Sequence, residues 1–282
     1  MKPFWSGNLV LGQVSIPVGL VPAVRDGTPR LARLHRECMT PVGSRVWCDH
    51  DDRAVADEDI ARGYEVAPGQ HVLIQDEEIA AVVPQDTRTI EIRGAISAER
   101  IPRALVAASY LLAPGQVPVG RRPYVLVREA LADSAGVVLL ARLTVRGHEW
   151  LAQIRAERWL LVLDKLHPVE DLVDTTPLDE LLTAVTVTEQ EQQLANEVVR
   201  SRFLAKVPAG ALQIEQRERM RHLVDAKIAG EPVQIAARPG SQTPPLTLPT
   251  GDLTDTLRKS IGRRRGSNTK TKPRARPAPV KR

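Results

Sequence analysis

Short strand-like segments fill most of the first two thirds of the sequence, and this pattern restricts the possible fold more than any other. In the first segment every second position is apolar or glycine: Val10, Gly12, Val14, Ile16, Val18 and Leu20. A period of two predicts a half-buried β-strand, and Pro17 inside it predicts an edge strand or a bulge. Further strands are predicted at residues 71–74, 88–92, 110–112, 137–145 and 159–163. Many short strands separated by Pro, Gly and Asp predict a barrel or a sandwich.

Helical patterns interrupt and then follow these strands. They predict three helices, at residues 123–132, 188–204 and 212–229. Thr188 followed by Glu191 is a capping-box pattern at the start of the second helix, and Gly230 with Pro232 predicts the end of the third. The last two helices are amphipathic and precede no further strand. They are therefore expected to pack either on the protein's own barrel or on a partner subunit.

The C-terminal tail differs in charge from the rest of the chain. Its last 25 residues, 258–282, carry eleven Lys or Arg and no acid, which leaves 28 basic and 34 acidic residues elsewhere. Such a tail most often binds a phosphate backbone, although a solvated terminus has the same composition. A linker rich in Pro, Ser and Thr is predicted at residues 239–250, and the tail is expected to be disordered when free.

Composition narrows the class of protein. A chain of 282 residues can form one large or two small domains. Two cysteines are too few for a disulfide framework, no apolar run reaches the ~20 residues of a membrane span, and no signal region is present. We therefore expect a cytoplasmic location. Only nine aromatic residues are present, which favours duplex backbone over stacked single strands as a nucleic-acid ligand.

Catalytic motifs such as a Gly-rich phosphate loop or a Gly-x-Ser-x-Gly elbow are absent from the sequence, so we expect neither an enzyme nor a cofactor. One cluster has the residue types of a zinc site: His35, Cys38, Cys48 and His50. However, the usual pair of Cys-x-x-Cys knuckles is missing, and both cysteines are equally interpreted as small buried side chains. We predict no metal site, and these four residues are the candidates if one exists.

The same region is rich in arginine. Six fall within a short window, namely Arg25, Arg30, Arg33, Arg36, Arg45 and Arg53. A second, weaker basic stripe contains Arg142 and Arg146. Each stripe is interpreted either as a phosphate-binding surface or as the solvated face of a strand.

Several segments, in order, resemble the bacterial Ku proteins, the homodimeric DNA-end binders of non-homologous end joining. The most specific is Trp5-Ser-Gly-Asn-Leu-Val-Leu-Gly12-Gln-Val-Ser-Ile-Pro17-Val, which is similar to the family's Trp-x-Gly start. The resemblance covers about residues 3–230. Its other segments are Leu34-His35, Gly63-Tyr64-Glu65, Arg88–Ile92, Ser109–Pro114, Val127–Leu131 and Leu223–Gly230.

The resemblance implies a mixed β/α fold, with a β-barrel core, extended bridge loops and a C-terminal helical arm, in which two protomers form a ring. It implies sequence-independent binding of double-stranded DNA ends, protection of those ends and recruitment of an ATP-dependent DNA ligase. It also implies a cytoplasmic, nucleoid-associated protein without a membrane partner. Two alternative functions are considered: a general architectural nucleic-acid-binding protein without end preference, and a nucleic-acid-processing enzyme with an unrecognised site.

Residue roles follow from the same resemblance. The stretch from Arg25 to Arg53 matches the family's bridge, so its arginines are the first expected DNA contacts, followed by Arg142 and Arg146. The tail adds Arg263, Arg264 and Arg265. Many family members have Cys-x-x-Cys in the bridge, whereas here the second position is Asp51, which argues against a zinc knuckle.

Four segments are therefore expected. They are a barrel core with its bridge at 1–185, a helical dimerisation arm at 186–231, a linker that recruits the ligase at 232–257 and a basic DNA-binding tail at 258–282.

Overall fold

The computed structural model describes residues 2–115, 118–208 and 210–231, together with residues 254, 257 and 258. The chain divides into two compact units, Met1–Val173 and Asp174–Arg282. The expected linker at 232–257 and tail at 258–282, including Arg263, Arg264 and Arg265, lie almost entirely outside the described residues.

The first unit contains all the strands of the described chain and two of its α-helices. The strands are β1 (Trp5–Leu11), β2 (Val14–Pro22), β3 (Trp47–Cys48), β4 (Arg53–Ala54), β5 (Arg62–Ala67), β6 (Gln70–Ile74), β7 (Thr89–Ser97), β8 (Val106–Pro114), β9 (Val137–Val145), β10 (His148–Glu157) and β11 (Leu160–Leu166). The helices are α1 (Asp76–Val82) and α2 (Arg121–Asp133). In the second unit the helices are α3 (Thr176–Thr183), α4 (Glu189–Ser201) and α5 (Glu215–Ala229).

Seven strands close into a barrel in the order β1-β2-β8-β11-β10-β9-β7, which confirms the predicted fold class. All neighbouring pairs are antiparallel except β1 and β7, which are parallel and complete the circle. The interior is filled by side chains with almost no exposure, among them Leu9, Ile16, Leu20, Ile90, Leu112, Ile154, Leu161 and Leu163. The barrel is therefore a packed core, and ligands must bind outside it.

The first predicted strand is wrong in one respect, because it is two strands joined by a tight turn. Leu11 pairs with Val14, and Gly12 between them has φ +60°, as expected for the first central residue of a type II′ turn. The turn shifts the buried face by one position, so that Leu9 and Ile16 face the core together while Val14 is 45% exposed. Apolar alternation alone does not reveal this change of phase.

Pro17 does not mark an edge strand, since β2 lies between β1 and β8 in the closed barrel. The β2–β8 pairing begins at Val18, opposite Pro114, and the Pro17 carbonyl accepts a hydrogen bond from the Gly115 N–H at 2.8 Å. Pro17 therefore lies just beyond the last regular β2–β8 pair, so its missing N–H interrupts no hydrogen bond of that pairing.

Helix α2 is bound to the barrel through Tyr124. Its hydroxyl donates to the Leu112 carbonyl at 2.6 Å and accepts from the Leu161 N–H at 2.8 Å. Burial raises the pKa of this hydroxyl, so it remains a donor at neutral pH. These bonds connect the helix to β8 and β11, and the predicted helix at 123–132 is confirmed.

A long segment leaves the barrel after β2 and returns at β7. This segment, residues 23–88, is called the extension, and it contains β3, β4, β5, β6 and α1. It returns where the Asn8 N–H donates to the Arg88 carbonyl at 2.9 Å, beside Gly7. A Cβ atom at Gly7 would lie 2.1 Å from that carbonyl oxygen, so the return to the barrel requires glycine. None of the extension's residues is buried.

The second unit contains the two predicted amphipathic helices and the unpredicted α3. Thr188 and Glu191 form the predicted capping box of α4, and Gly230 ends α5 with φ +72°. None of the described residues of this unit is buried. Large apolar side chains are exposed on it, among them Leu178, Leu181, Val199, Phe203, Leu212 and Ile228.

Candidate nucleic-acid interface

The first half of the extension carries exposed arginines without acidic partners. Arg25, Arg30, Arg33, Arg36 and Arg45 are all exposed, and none forms an ion pair with a carboxylate in the described part of the chain. Local backbone bonds order part of this stretch, since the Val42 N–H donates to the Arg33 carbonyl at 3.0 Å and Leu34 bridges Pro41. Guanidinium groups presented in this way are free to contact phosphates.

Charge divides the extension into two halves. Residues 23–47 hold five arginines and two acids, whereas residues 48–88 hold three arginines and eleven acids. In the acidic half Arg53 lies 3.6 Å from Asp51, and Arg62 lies 3.3 Å from Asp76. The first half would attract a polyanion and the second half would repel it, and Asp51 partly neutralises the charge of Arg53.

The second basic stripe is divided by the fold. Arg142 lies on β9 and pairs with Glu149 on β10 at 3.1 Å, which partly neutralises its charge. Arg146 lies in the β9–β10 turn with φ +53°, and its guanidinium carbon is 6.0 Å from the centre of the Phe4 ring. Only Arg146 therefore offers an unpaired charge within this stripe of the described chain.

Of the four zinc candidates, the structure brings His35 and Cys38 into contact. His35 Nδ1 lies 3.2 Å from Cys38 Sγ, but within the described chain no three His, Cys, Asp or Glu side chains are grouped so that they could hold a metal ion. Hydrogen bonds from Thr40 and His35 lower the pKa of the Cys38 thiol to about 7. Neither cysteine is buried, so their interpretation as small core residues is wrong.

One group of residues was missed by the sequence analysis. Phe4, Tyr110 and Trp150 come together at one end of the barrel, with neighbouring ring centres 5.2 and 5.5 Å apart. These residues come from three separate parts of the sequence, so no local pattern reveals them.

Comparisons with known proteins agree with this architecture. The family model described as the Ku70/Ku80 beta-barrel domain matches residues 10–194. A protein of Heliobacterium modesticaldum named Non-homologous end joining protein Ku is 31% identical over 93% of this chain and 91% of its own length. Proteins of the same name are 26% identical in Bacillus subtilis and 30% identical in Symbiobacterium thermophilum, covering 87% and 63% of those proteins.

Among the described residues, no helix combines the length and the apolarity that crossing a membrane requires. Because the family model matches more than half of the chain, and a relative of similar length is more than 30% identical, the chain belongs to the Ku family.

Proposed function

We propose that this protein binds the ends of double-stranded DNA without sequence preference, as a ring-shaped homodimer that acts in non-homologous end joining. The observation that carries the proposal is the extension, which leaves a packed barrel, buries none of its residues and presents unpaired arginines in its first half. Relatives named for non-homologous end joining support the same function.

The chemistry of the arginines fits backbone binding. Guanidinium groups contact phosphates at any sequence, whereas reading bases requires side chains directed into a groove. Such contacts release counterions and make binding depend steeply on salt. They do not by themselves distinguish an end from an internal site. In a closed ring, the topology would supply that distinction.

A second copy of the chain is the proposed partner of the helical unit. Its helices expose large apolar side chains such as Leu181 and Phe203, which are 71% and 81% exposed. Exposed apolar surface of this extent on a soluble protein indicates an interaction site. The expected dimerisation arm at 186–231 falls within this unit, so we assign it to contacts between protomers.

Recruitment of an ATP-dependent DNA ligase is assigned to residues 232–257, and auxiliary DNA binding to the tail at 258–282. Deleting residues 258–282 is expected to flatten the dependence of affinity on salt while the preference for ends remains. Deleting residues 232–282 is expected also to remove stimulation of the ligase. If the shorter deletion already abolishes stimulation, the recruiting segment lies in the tail.

The function is tested with linear and relaxed closed-circular DNA of equal length. We expect the linear form to be retained and the closed circle to be bound weakly. In a second step the protein is loaded on linear DNA, the DNA is circularised by an added ligase, and salt is raised. A ring stays on the circle. Equal retention of both forms would support an architectural protein, and cleavage or joining by the purified protein alone would support an enzyme.

A further inference from the structure

The two ends of the barrel differ. At one end α2 covers the interior, and Arg128 of this helix donates to the Arg158 carbonyl in the β10–β11 turn at 3.1 Å. The opposite end, where the β9–β10 turn lies, is called the open mouth. Phe4, Tyr110 and Trp150 lie there, and the last two pack against the barrel core with only part of each side chain exposed.

The three rings form one continuous aromatic surface. Tyr110 lies between the other two, with ring centres 5.5 Å from Phe4 and 5.2 Å from Trp150, and the planes are tilted by 53° and 32°. Phe4 is 36% exposed. These separations are typical of favourable aromatic packing, and the partial exposure leaves area for a further flat group.

Cationic side chains border this surface. Lys165 Nζ lies 4.6 Å from the centre of the Trp150 ring, and the Arg146 guanidinium lies 6.0 Å from that of Phe4. Together with His148 and Glu149 they line an open cavity of about 590 Å³. Arg146 is held in the left-handed region at a turn position where Asn or Gly is usual, which costs free energy and keeps its charge beside the cavity.

We propose that the open mouth binds an unpaired nucleotide of a single-stranded DNA overhang. The base stacks on the Phe4–Tyr110–Trp150 surface, and Arg146 and Lys165 bind the adjoining phosphates. Stacking on aromatic side chains with cations along the backbone is the general mode of single-strand binding, and it tolerates any base. This inference rests on the proposed function, because the overhang belongs to a DNA end already bound by the protein.

Other occupants fit the chemistry less well. A cationic ligand would favour aromatic rings, but Arg146 and Lys165 already lie over two of them and repel a further cation. Inside a duplex the base faces are stacked on each other, and even at a blunt end the exposed terminal base remains paired, whereas the mouth offers room beside its rings for a single flat group. The end of the extension also passes this region, since a Cβ at Gly147 would lie 3.1 Å from Val83 Cγ1.

The test compares two DNA ligands and three proteins. A duplex of fixed length is used blunt or with a 3′ overhang of about six thymidines, a length within the range of single-strand sites. The full-length protein is compared with Trp150→Leu and with Trp159→Leu. Trp159 is the matched control, because it is 82% exposed in the turn at the other end of β10.

We expect the overhang to increase affinity about 10-fold for the unchanged protein and for Trp159→Leu, and hardly at all for Trp150→Leu. Binding of the blunt duplex should be the same for all three proteins. If the unchanged protein does not bind the blunt duplex, the proposed function is contradicted. Normal blunt-duplex binding without any gain from the overhang would contradict only the present inference.

Cross-linking locates the base directly and does not depend on folding of a variant. An overhang with 5-iodouracil at each position in turn is irradiated on the unchanged protein, and the modified peptides are mapped by mass spectrometry. Cross-links to Phe4, Tyr110 or Trp150 are expected. Cross-links confined to Trp47 or Tyr64 of the extension would overturn the inference. A change of oligomeric state in Trp150→Leu would also overturn the inference, because it would assign the open mouth to a protein interface.

Discussion

The barrel and the extension belong to one compact unit but differ in the burial of their apolar side chains. In the barrel, apolar residues from seven strands reach nearly complete burial, whereas the extension has no buried residue and leaves Leu73, Tyr64 and Val72 more than half exposed. The barrel therefore needs no partner for its packing. The extension leaves such apolar side chains to solvent, and the basic charge of its first half fits the polyanion proposed as its partner.

Truncating a leucine in each region gives the largest expected contrast. Leu163→Ala removes a side chain with no exposure and should lower the free energy of unfolding by about 2–5 kcal/mol, because it leaves a cavity. Leu73→Ala, at a site 68% exposed, should change it by less than about 0.5 kcal/mol. Urea denaturation at equal protein concentration measures both. Similar losses would show that the extension is packed in solution.

Glycine substitutions test the point where the two regions meet. Gly7→Ala places a methyl group against the Arg88 carbonyl and the Trp5 ring and should cost about 1–3 kcal/mol. Gly43→Ala, inside the extension, meets no atom within 4 Å and has ordinary backbone angles, so its effect should be near zero. Thermal unfolding of both variants distinguishes them. An unchanged melting temperature for Gly7→Ala would mean that the Arg88 carbonyl does not pack closely against residue 7 in solution.

Substitutions of arginines test whether the basic half of the extension, residues 23–47, and the acidic half, residues 48–88, differ in DNA binding. The double variant Arg36→Gln/Arg45→Gln should reduce the slope of log affinity for DNA against log salt by about 1.8, since each lost phosphate contact contributes about 0.9. Arg62→Gln is the matched control, because Arg62 is exposed in the same extension but pairs with Asp76. Its slope should remain unchanged. Equal effects of the double variant and the control would remove the distinction between the basic and the acidic half.

The smallest expected effect is on the chemical reactivity of the Cys38 thiol in the extension. Since the pKa of the Cys38 thiol is lowered to about 7, its thiolate predominates above that pH and alkylation by iodoacetamide should rise through pH 7. The measurement uses Cys48→Ser, which leaves Cys38 as the single thiol. Adding His35→Ala should move the midpoint to higher pH, because the imidazole no longer donates to the thiolate. An unmoved midpoint would assign the lowered pKa to Thr40.

Much of the barrel could be predicted from the sequence, because half-buried strands leave a period of two. Residues 137–145 were predicted as β9 with the bounds that the structure has. In contrast, β10 was missed, since Ala152, Gln153 and Ile154 are buried consecutively and hide the alternation. The Asp164 carboxylate accepts the Gln153 side-chain N–H at 3.1 Å, and this contact between two strands offsets part of the cost of burying a polar side chain.

The candidate sites were less predictable for the same physical reason. The arginines of the extension fall within one short stretch of the sequence, so composition was sufficient to identify them as candidates. The aromatic surface of the open mouth depends on the strand order, in which only β11 separates β8 with Tyr110 from β10 with Trp150. For the four zinc candidates, closeness in sequence brings His35 and Cys38 into contact, but no group of three metal-binding side chains is present in the described chain.

The parallel pairing of β1 with β7 makes the whole extension a loop whose two ends are fixed by the barrel. The entropy lost on closing a flexible loop grows only with the logarithm of its length, so doubling the length costs about 0.6 kcal/mol. Insertions or deletions within residues 23–88 therefore change the stability of the barrel very little. The length of the extension can therefore change while the barrel that anchors both of its ends keeps its packing.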